Sequence, residues 1–462
     1  MDNKVIFSEE LIRRYDTFGP RYTSYPTAVQ FDSKVTARNY REWVTHSNDD
    51  PIPSPLSLYL HIPFCDTICY YCGCSKVVTK DRSKAAHYIE LLKREIRLQG
   101  SLYASDRQVT QIHWGGGTPT FLSDKEIHGI IECIRESFNV PADDQVESGI
   151  EVDPRTVDYT RLKNLSNLGF NRISFGVQDF NSCVQESVNR IQSTEQIKQH
   201  VIDAKSLHFS SINIDLMYGL PNQSVSSFSE TLDTTIELDP DRIAIYNYAH
   251  LPEMFKPQRR INEDELPSAE EKLNILKLCI DKLQDSGYVY IGMDHFAKEN
   301  DSLVLAQQHG TLHRNFQGYS THADCDIIAM GITAISRIGD NYCQNVRTIE
   351  EYEKCLDADE IPVFRGIELE PDDILRREII NQLMCNNNLD IKKLENRWGI
   401  DFKSYFKSSL KELQAMADDG LLKIDKTRLT ITTTGRLLAR SICMQFDRYL
   451  KQKDKNRFSR VI

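Results

Sequence analysis

The sequence lacks any apolar run long enough to cross a membrane as a helix. Its opening stretch, MDNKVIFSEELIRRYD, contains acidic residues and no apolar segment of the kind that a secretory signal peptide needs. An excess of positive charge is also absent, because the formal net charge is −11 and phosphate backbones are bound by clustered cations. We therefore expect a cytoplasmic location, with neither a membrane nor a nucleic acid as partner.

Cysteine is too sparse for a disulfide-stabilised fold, since the 462 residues contain only 12. Eight of these lie singly along the chain, where we expect small buried hydrophobic residues. The other four, Cys65, Cys69, Cys72 and Cys74, fall within ten residues just after a short apolar run. In a cytoplasmic protein, such a group of thiols indicates a soft metal rather than disulfide bonds.

A second cysteine pair, which structural zinc sites of the CxxC…CxxC type require, is missing. The spacing CxxxCxxC supplies three thiolates instead, and these can bind three irons of a [4Fe–4S] cubane and leave the fourth iron open. The spacing therefore favours an iron–sulfur cluster on Cys65, Cys69 and Cys72. A zinc site or an electron-transfer centre remains an alternative at this point.

The middle of the chain alternates short β-type runs with helical patterns, of which residues 87–99 give the clearest helix. Such alternation predicts right-handed βαβ units and a parallel sheet. Six or seven units suit a partial or complete parallel α/β barrel, and a doubly wound open sheet is the alternative. The predicted strands are 57–62, 111–115, 148–152, 172–176, 212–217, 242–248 and 288–293.

After about residue 365 the pattern becomes mainly helical, with helices expected at 372–384, 391–398 and 406–420. Residues 421–450 follow as a predicted hairpin and a final helix, so this part is expected to form a small winged-helix-like domain. The acidic net charge argues against DNA binding by it. The predicted domains are residues 1–55, 56–365 and 366–462.

Polar groups lie at or near the carboxyl ends of several predicted strands, among them Glu151, Gln178 and Asp215. The carboxyl ends of parallel strands meet at one edge, where α/β proteins place their sites. GGGTPT (115–120) follows the second strand but lacks the Lys-Ser/Thr of a phosphate-binding loop, so an NTP site is not expected. Consecutive glycines allow a close approach of the backbone to a ligand.

Ten stretches together resemble the oxygen-independent coproporphyrinogen III oxidases, a family of the radical S-adenosylmethionine (SAM) superfamily, for which CxxxCxxC is typical. Cys74 and PRYTSYPT separate the chain from haem-chaperone-like paralogues, which remain the alternative. A radical SAM enzyme acting on RNA is a further alternative. The stretches are PRYTSYPTA (20–28), YLHIPFCDTICYYCGC (59–74), HWGGGTPT (113–120), IEVDPR (150–155), FGVQDFN (175–181), NIDLMYGLP (213–221), NYAHLP (247–252), GMDHFA (292–297), HRNFQGY (313–319) and FSRVI (458–462).

The resemblance implies a [4Fe–4S] cluster and SAM as cofactors and coproporphyrinogen III as substrate. A 5′-deoxyadenosyl radical made from SAM would start the oxidative decarboxylation of two propionates to vinyl groups, giving protoporphyrinogen IX, with two SAM consumed. A reductant such as a flavodoxin or ferredoxin system, an unidentified electron acceptor and a monomeric enzyme are also implied.

The resemblance further implies roles for individual residues. Cys65, Cys69 and Cys72 would bind the cluster, and Cys74 would not. Among the SAM residues, the acidic and amide groups suit ribose hydroxyls or the ammonium group, and Arg190 suits the carboxylate. The expected SAM set is Tyr59, Tyr71, Gly116, Gly117, Thr118, Glu151, Gln178, Arg190, Asp215, Ala249 and Ile335.

The substrate carries four carboxylates, so its pocket is expected to present cations and aromatic walls. Arg21 and Tyr22, in the N-terminal segment 1–55, and Arg314 are the candidates. His61 and His295 are further candidates for proton transfer or substrate contact.

Overall fold

A computed structural model describes residues 4–450, so the stretch FSRVI lies outside the described residues. The chain divides into two compact units. Residues 31–267 and 324–368 form the first, called here the barrel unit. Residues 4–30, 268–323 and 369–450 belong to the second, called here the winged-helix unit. The domain boundaries expected from the sequence, after residues 55 and 365, stay predictions.

The sheet of the barrel unit has a parallel core in which β1 to β6 follow one another in space in chain order. β7 is parallel to β1 on its other side, and β8, β9 and β10 continue the sheet antiparallel. This order confirms the predicted partial α/β barrel. In a doubly wound sheet, the spatial order of the parallel strands would reverse within the core. The strands are β1 Leu56–Ile62, β2 Val109–Gly116, β3 Glu147–Val152, β4 Arg172–Gln178, β5 Ser211–Tyr218, β6 Arg242–Asn247, β7 Asp326–Met330, β8 Ile335–Ile338, β9 Asn341–Asn345 and β10 Val363–Ile367.

Helices connect the parallel strands of this unit. α2 contains the helix predicted at 87–99, and it is capped by Asp81, whose side chain accepts a hydrogen bond from the Ser83 amide. Its apolar residues Ile89, Leu92 and Ile96 are buried, as their spacing predicts. The helices are α1 Ala37–Asn48, α2 Arg82–Gly100, α3 Asp124–Ser137, α4 Tyr159–Asn167, α5 Ser182–Ser187, α6 Thr194–Ser206, α7 Val225–Leu238 and α8 Ile349–Asp357.

The winged-helix unit ends in the predicted arrangement of helices and a small sheet. Strand Arg428–Ile431 lies between Asn388–Asp390 and Leu422–Ile424 in a three-stranded antiparallel sheet. The final helix expected before residue 450 is instead broken, and its longest α-helical part is Ala439–Cys443. The helices that precede the hairpin are Pro371–Asn386, Ile391–Trp398, Phe402–Tyr405 and Lys407–Asp418.

One strand assignment needs correction. Residues 288–293 were expected to extend the series of parallel strands, but Tyr288–Gly292 pairs antiparallel with His295–Lys298 in the winged-helix unit. The tight turn at Met293, which has a positive φ of 52°, produces this hairpin. The other elements of this unit are Glu9–Tyr15, Ala269–Asp285, Ser302–His309, His313–Asn315 and Gly318–Ser320.

The helices within residues 4–450 include none with both the length and the apolar character needed to span a membrane.

Candidate active site

The carboxyl ends of the parallel strands enclose a cavity of about 420 Å³ in the barrel unit. The cysteine loop after β1 lines one part of it, and residues at the ends of β2 to β6 line the rest. The cavity thus brings together eleven of the residues expected from the sequence. These are Cys65, Cys69, Tyr71, Cys72, Gly116, Gly117, Thr118, Glu151, Gln178, Arg190 and Asp215.

The loop that carries the cysteines is closed by a short parallel bridge. The Val77 amide donates to the Pro63 carbonyl at 2.7 Å, and the Thr79 amide donates to the Cys65 carbonyl at 3.0 Å. Gln258 fixes the far side of the loop, because its Nε2 donates to the Tyr71 carbonyl at 2.9 Å. Several neighbouring segments therefore hold the thiols in position.

Basic groups surround these thiols. Arg190 Nη1 lies 3.4 Å and Arg155 Nη2 lies 3.8 Å from Cys69 Sγ. A hydrogen bond from Cys74, helped by the Lys76 ammonium, overcomes burial and lowers the pKa of the Cys72 thiol to about 5. Thiolates are the metal-binding form of cysteine, and nearby cations favour them.

The thiol of Cys65 behaves differently, since burial raises its pKa to about 11 against the opposing hydrogen bond with Thr118. Among residues 4–450, no group of three or more His, Cys, Asp and Glu side chains has a geometry that could hold one metal ion. In a [4Fe–4S] cubane, each cysteine binds a different iron atom.

The three glycines at the carboxyl end of β2 are needed because other parts of the protein approach them closely. A Cβ atom on Gly115 would lie 2.8 Å from Glu151 Oε1, and one on Gly117 would lie 2.7 Å from the Pro63 carbonyl. Gly116 has a φ of +114°, which favours glycine. The glycine run therefore lets β2 pack against both Glu151 and the base of the cysteine loop.

Glu151 is held in its charged form. His113 Nε2 donates to its Oε1 at 3.3 Å, and the Gly116 amide donates to its Oε2 at 3.2 Å. Burial alone would raise the pKa of Glu151, but these contacts with His113 and Gly116 outweigh it and lower the pKa below its ordinary value.

Asp215, two strands away on β5, has the opposite shift. Burial raises its pKa to about 6, although Ser174 Oγ and Asn213 Nδ2 each donate to the carboxylate at 2.9 Å. The negative charge of Glu151 contributes to the rise. Glu151 and Asp215 in the same cavity therefore have pKa values shifted in opposite directions.

A buried ion network lies beside Cys69. Arg190 Nη1 donates to Asp153 Oδ2 at 3.1 Å, and its Nε donates to the Gly176 carbonyl at 3.1 Å. Arg155 Nη2 donates to the same Asp153 oxygen at 2.6 Å. Arg155 and Lys76 line the cavity but were not expected from the sequence, although Arg155 lies within the quoted stretch IEVDPR.

Three of the expected SAM residues do not line this cavity. The Tyr59 hydroxyl lies 3.2 Å from His61 Nδ1, and its ring stacks on that of His113. The Ala249 carbonyl accepts a hydrogen bond of 3.2 Å from Gln258, the residue that also holds Tyr71. Ile335 begins β8. The roles of these three residues stay predictions.

The candidates for substrate contact belong to the winged-helix unit. There Arg21 forms an ion pair with Asp294, and the Tyr22 hydroxyl donates to Asp447 Oδ2 at 3.0 Å. Arg314 is buried, with its guanidinium 4.8 Å from the centre of the Tyr319 ring.

Two known sequence families match parts of the chain. The radical SAM superfamily matches residues 59–235, which include the cysteine loop, and the HemN C-terminal domain matches residues 369–438.

Individual relatives match over nearly the whole chain. The chain is 48% identical to the oxygen-independent coproporphyrinogen III oxidase of Pseudomonas aeruginosa over 100% of both chains, and 47% identical to that of Escherichia coli K12 over 98% of both. Among solved structures, the coproporphyrinogen III oxidase HemN from Escherichia coli, described as a radical SAM enzyme, superposes with a TM-score of 0.91. That match has 45% identity and covers 97% of this chain and 100% of the other.

Proposed function

The chain belongs to the family of oxygen-independent coproporphyrinogen III oxidases, and on this premise we propose that its strand-end cavity performs their radical SAM reaction. Two propionates of coproporphyrinogen III would each lose a hydrogen atom, an electron and CO2 to become vinyl groups, giving protoporphyrinogen IX. The observation that carries the proposal is the single cavity lined by Cys65, Cys69 and Cys72 together with Glu151 and Asp215.

The residues of the cysteine loop fit an iron–sulfur cluster. Cys65, Cys69 and Cys72 line the cavity on a loop fixed at both ends, and Arg190 lies against Cys69. Thiolate ligands and sulfides make such a cluster strongly negative, so neighbouring cations stabilise it. Cys74 is exposed and is assigned no ligand role. When bound, the cluster and SAM supply an electron and a 5′-deoxyadenosyl radical.

The rest of the cavity fits SAM. The charged Glu151 carboxylate can accept from ribose hydroxyls or from the ammonium group, and Asp215 can do the same when ionised. The side chain of Tyr71 offers an aromatic surface for the adenine ring. Arg190 donates hydrogen bonds to Asp153 and Gly176, which fix its guanidinium beside Cys69. We therefore assign it two roles, which are to hold Cys69 in position and to bind the SAM carboxylate.

The remaining expectations complete the proposal. The SAM set keeps Tyr59, Ala249 and Ile335, and the substrate set is developed in the next subsection. We further propose that the enzyme is a cytoplasmic monomer reduced by a flavodoxin or ferredoxin system and that it consumes two SAM molecules per product.

The test is an anaerobic assay of the reconstituted protein with SAM, a reductant, an electron acceptor and coproporphyrinogen III. Mass spectrometry would follow 5′-deoxyadenosine and the vinyl products together. We expect both to form in the wild type and to disappear in Cys69→Ser, along with the cluster absorbance near 400 nm. Cys183→Ser, which removes an exposed thiol outside the cavity, should retain both products.

Two other outcomes of the assay would change the proposal. Formation of 5′-deoxyadenosine without vinyl product would support the radical SAM site but would rule out coproporphyrinogen III as the substrate. Tight haem binding with neither product would support the haem-chaperone alternative, which the 48% identity to an oxidase over the full length does not favour.

A further inference from the structure

Arg314 in the winged-helix unit is a buried cation whose hydrogen bonds are incomplete. The residue is only 8% exposed, and its Nε and Nη1 have no hydrogen-bond partner among residues 4–450. Its neighbour on one side is aromatic, because the guanidinium lies over the Tyr319 ring. This contact supplies no full negative charge, and a buried charge without a counter-charge is unfavourable.

Three further arginines of the same unit lie near Arg314. Arg440 is 3% exposed, and its Nε donates to the Pro20 carbonyl at 3.0 Å. Burial and then the charge of Arg21 lower the pKa of Arg440 to about 9, with Arg314 adding to the effect. The four charges of Arg21, Arg314, Arg436 and Arg440 all act on the buried hydroxyl of Tyr290, which places them around one region.

Among residues 4–450, the carboxylates around this region contact groups other than Nε and Nη1 of Arg314. Asp294 pairs with Arg21, and Asp447 accepts a hydrogen bond from the Tyr22 hydroxyl. The charge of Asp16 also acts on Arg440. None of these acceptors reaches Nε or Nη1 of Arg314.

We propose that Arg21, Arg314, Arg436 and Arg440, called here the arginine cluster, bind a carboxylate of the porphyrinogen substrate, with Arg314 in direct contact. The proposal rests on the proposed function and adds Arg436 and Arg440, which the sequence did not single out. Guanidinium groups match carboxylates in both charge and planar geometry, and Tyr290 and Tyr319 add aromatic surface. The burial of Arg314 and Arg440 suits a small anionic group and not the backbone of a nucleic acid.

The test measures binding of coproporphyrin III, the oxidised and unreactive form of the substrate, by its fluorescence. Its tetramethyl ester, which has the same ring but no carboxylates, is the matched ligand. We expect Arg314→Gln to raise the Kd for coproporphyrin III at least tenfold and to leave the Kd for the ester unchanged. Arg397→Gln, which removes an exposed arginine of the same unit, should change neither value.

Thermal unfolding without ligand separates binding from a structural role. Because Arg314→Gln removes a buried charge that lacks a counter-charge, its Tm should equal or exceed that of the wild type, while the rise in Tm with coproporphyrin III should be lost. A lower Tm with unchanged coproporphyrin III affinity would overturn the proposal. If Arg314→Gln does not fold, Arg314→Lys serves instead, with an expected loss of affinity of at least threefold because the planar fork is gone.

The same experiments distinguish this inference from the proposed function. If the wild type forms vinyl product and Arg314→Gln binds coproporphyrin III equally well, only the arginine cluster assignment fails. If the wild type neither binds coproporphyrin III nor forms vinyl product, the proposed function itself fails and the arginine cluster has no porphyrinogen to bind.

Discussion

At the scale of single residues, the cavity shows how position decides the charge of a carboxyl group. Glu151 receives hydrogen bonds from His113 and Gly116 and stays ionised, whereas the burial of Asp215 raises its pKa to about 6. Both side chains lie near the carboxyl ends of strands, and nothing in the neighbouring sequence indicates that their pKa values differ. Their different environments predict different responses to substitution.

Asp215→Asn should stabilise the ligand-free protein at pH 8 and weaken SAM binding. The folded-state pKa of Asp215 is raised above its ordinary value, so its favourable contribution is greatest at low pH and is lost as pH rises through about 6. We expect a Tm increase of about 2–4 °C at pH 8, about half of that increase near pH 5, and a Kd for SAM at least tenfold higher. Thermal unfolding at the two pH values and calorimetric titration with SAM measure these effects.

Asp144→Asn is the control for this prediction, because Asp144 is an exposed carboxylate in the same unit. It should leave both the Tm and the SAM affinity within error of the wild type. An unchanged SAM affinity in Asp215→Asn would remove Asp215 from the SAM set.

At the scale of elements, a close contact between the end of β2 and a side chain of β3 couples two strands of the barrel. Gly115 lies opposite the carboxylate of Glu151 on β3, so the absence of a side chain at Gly115 sets the position of Glu151. A run of glycines in the sequence indicates a close approach but does not say what approaches. The structure shows that the approaching groups include a side chain of the cavity itself.

Gly115→Ala should therefore impair SAM binding through Glu151. The added Cβ would lie 2.8 Å from Glu151 Oε1, which forces the carboxylate away from the Gly116 amide. We expect a loss of stability of about 1–3 kcal/mol and a Kd for SAM at least tenfold higher, measured by chemical denaturation and calorimetry.

Gly129→Ala provides the matched control in helix α3. Its Cβ would meet only the flexible end of Lys93, at 3.3 Å from Nζ. Alanine is favoured over glycine within helices by roughly 0.5–1 kcal/mol, so this variant should be slightly more stable and bind SAM normally. Equal SAM affinity in the two variants would contradict the coupling of Gly115 to Glu151.

At the scale of the whole molecule, the stoichiometry of the reaction can be predicted. Each propionate requires removal of one hydrogen atom by a 5′-deoxyadenosyl radical, and coproporphyrinogen III loses two propionate carboxyl groups. We expect two molecules of 5′-deoxyadenosine per protoporphyrinogen IX, quantified after subtracting the amount formed without substrate. A ratio near one would show that one radical serves both positions and would reject this part of the proposal.

The sequence alone determined that the cysteines favour an iron–sulfur cluster and that strands and helices alternate along the barrel unit. Three thiols at CxxxCxxC spacing favour a cluster with an open iron, and this spacing can be read directly from the sequence because it is local. The periodicity of residues 57–248 likewise predicts the strands β1 to β6 because the direction of side chains along a strand or helix is a local property. The quoted stretches sufficed to indicate the family.

The tertiary structure decided which distant groups meet. Arg155 and Arg190 reach Cys69 only because the ends of their elements converge at one edge of the sheet. Arg21 and Arg440 come from opposite ends of the chain but lie close enough for their charges to interact. The hydrophobic periodicity of the sequence cannot predict such a long-range contact. Burial, and with it the pKa of Asp215, likewise depends on how the complete fold packs, which local sequence does not specify.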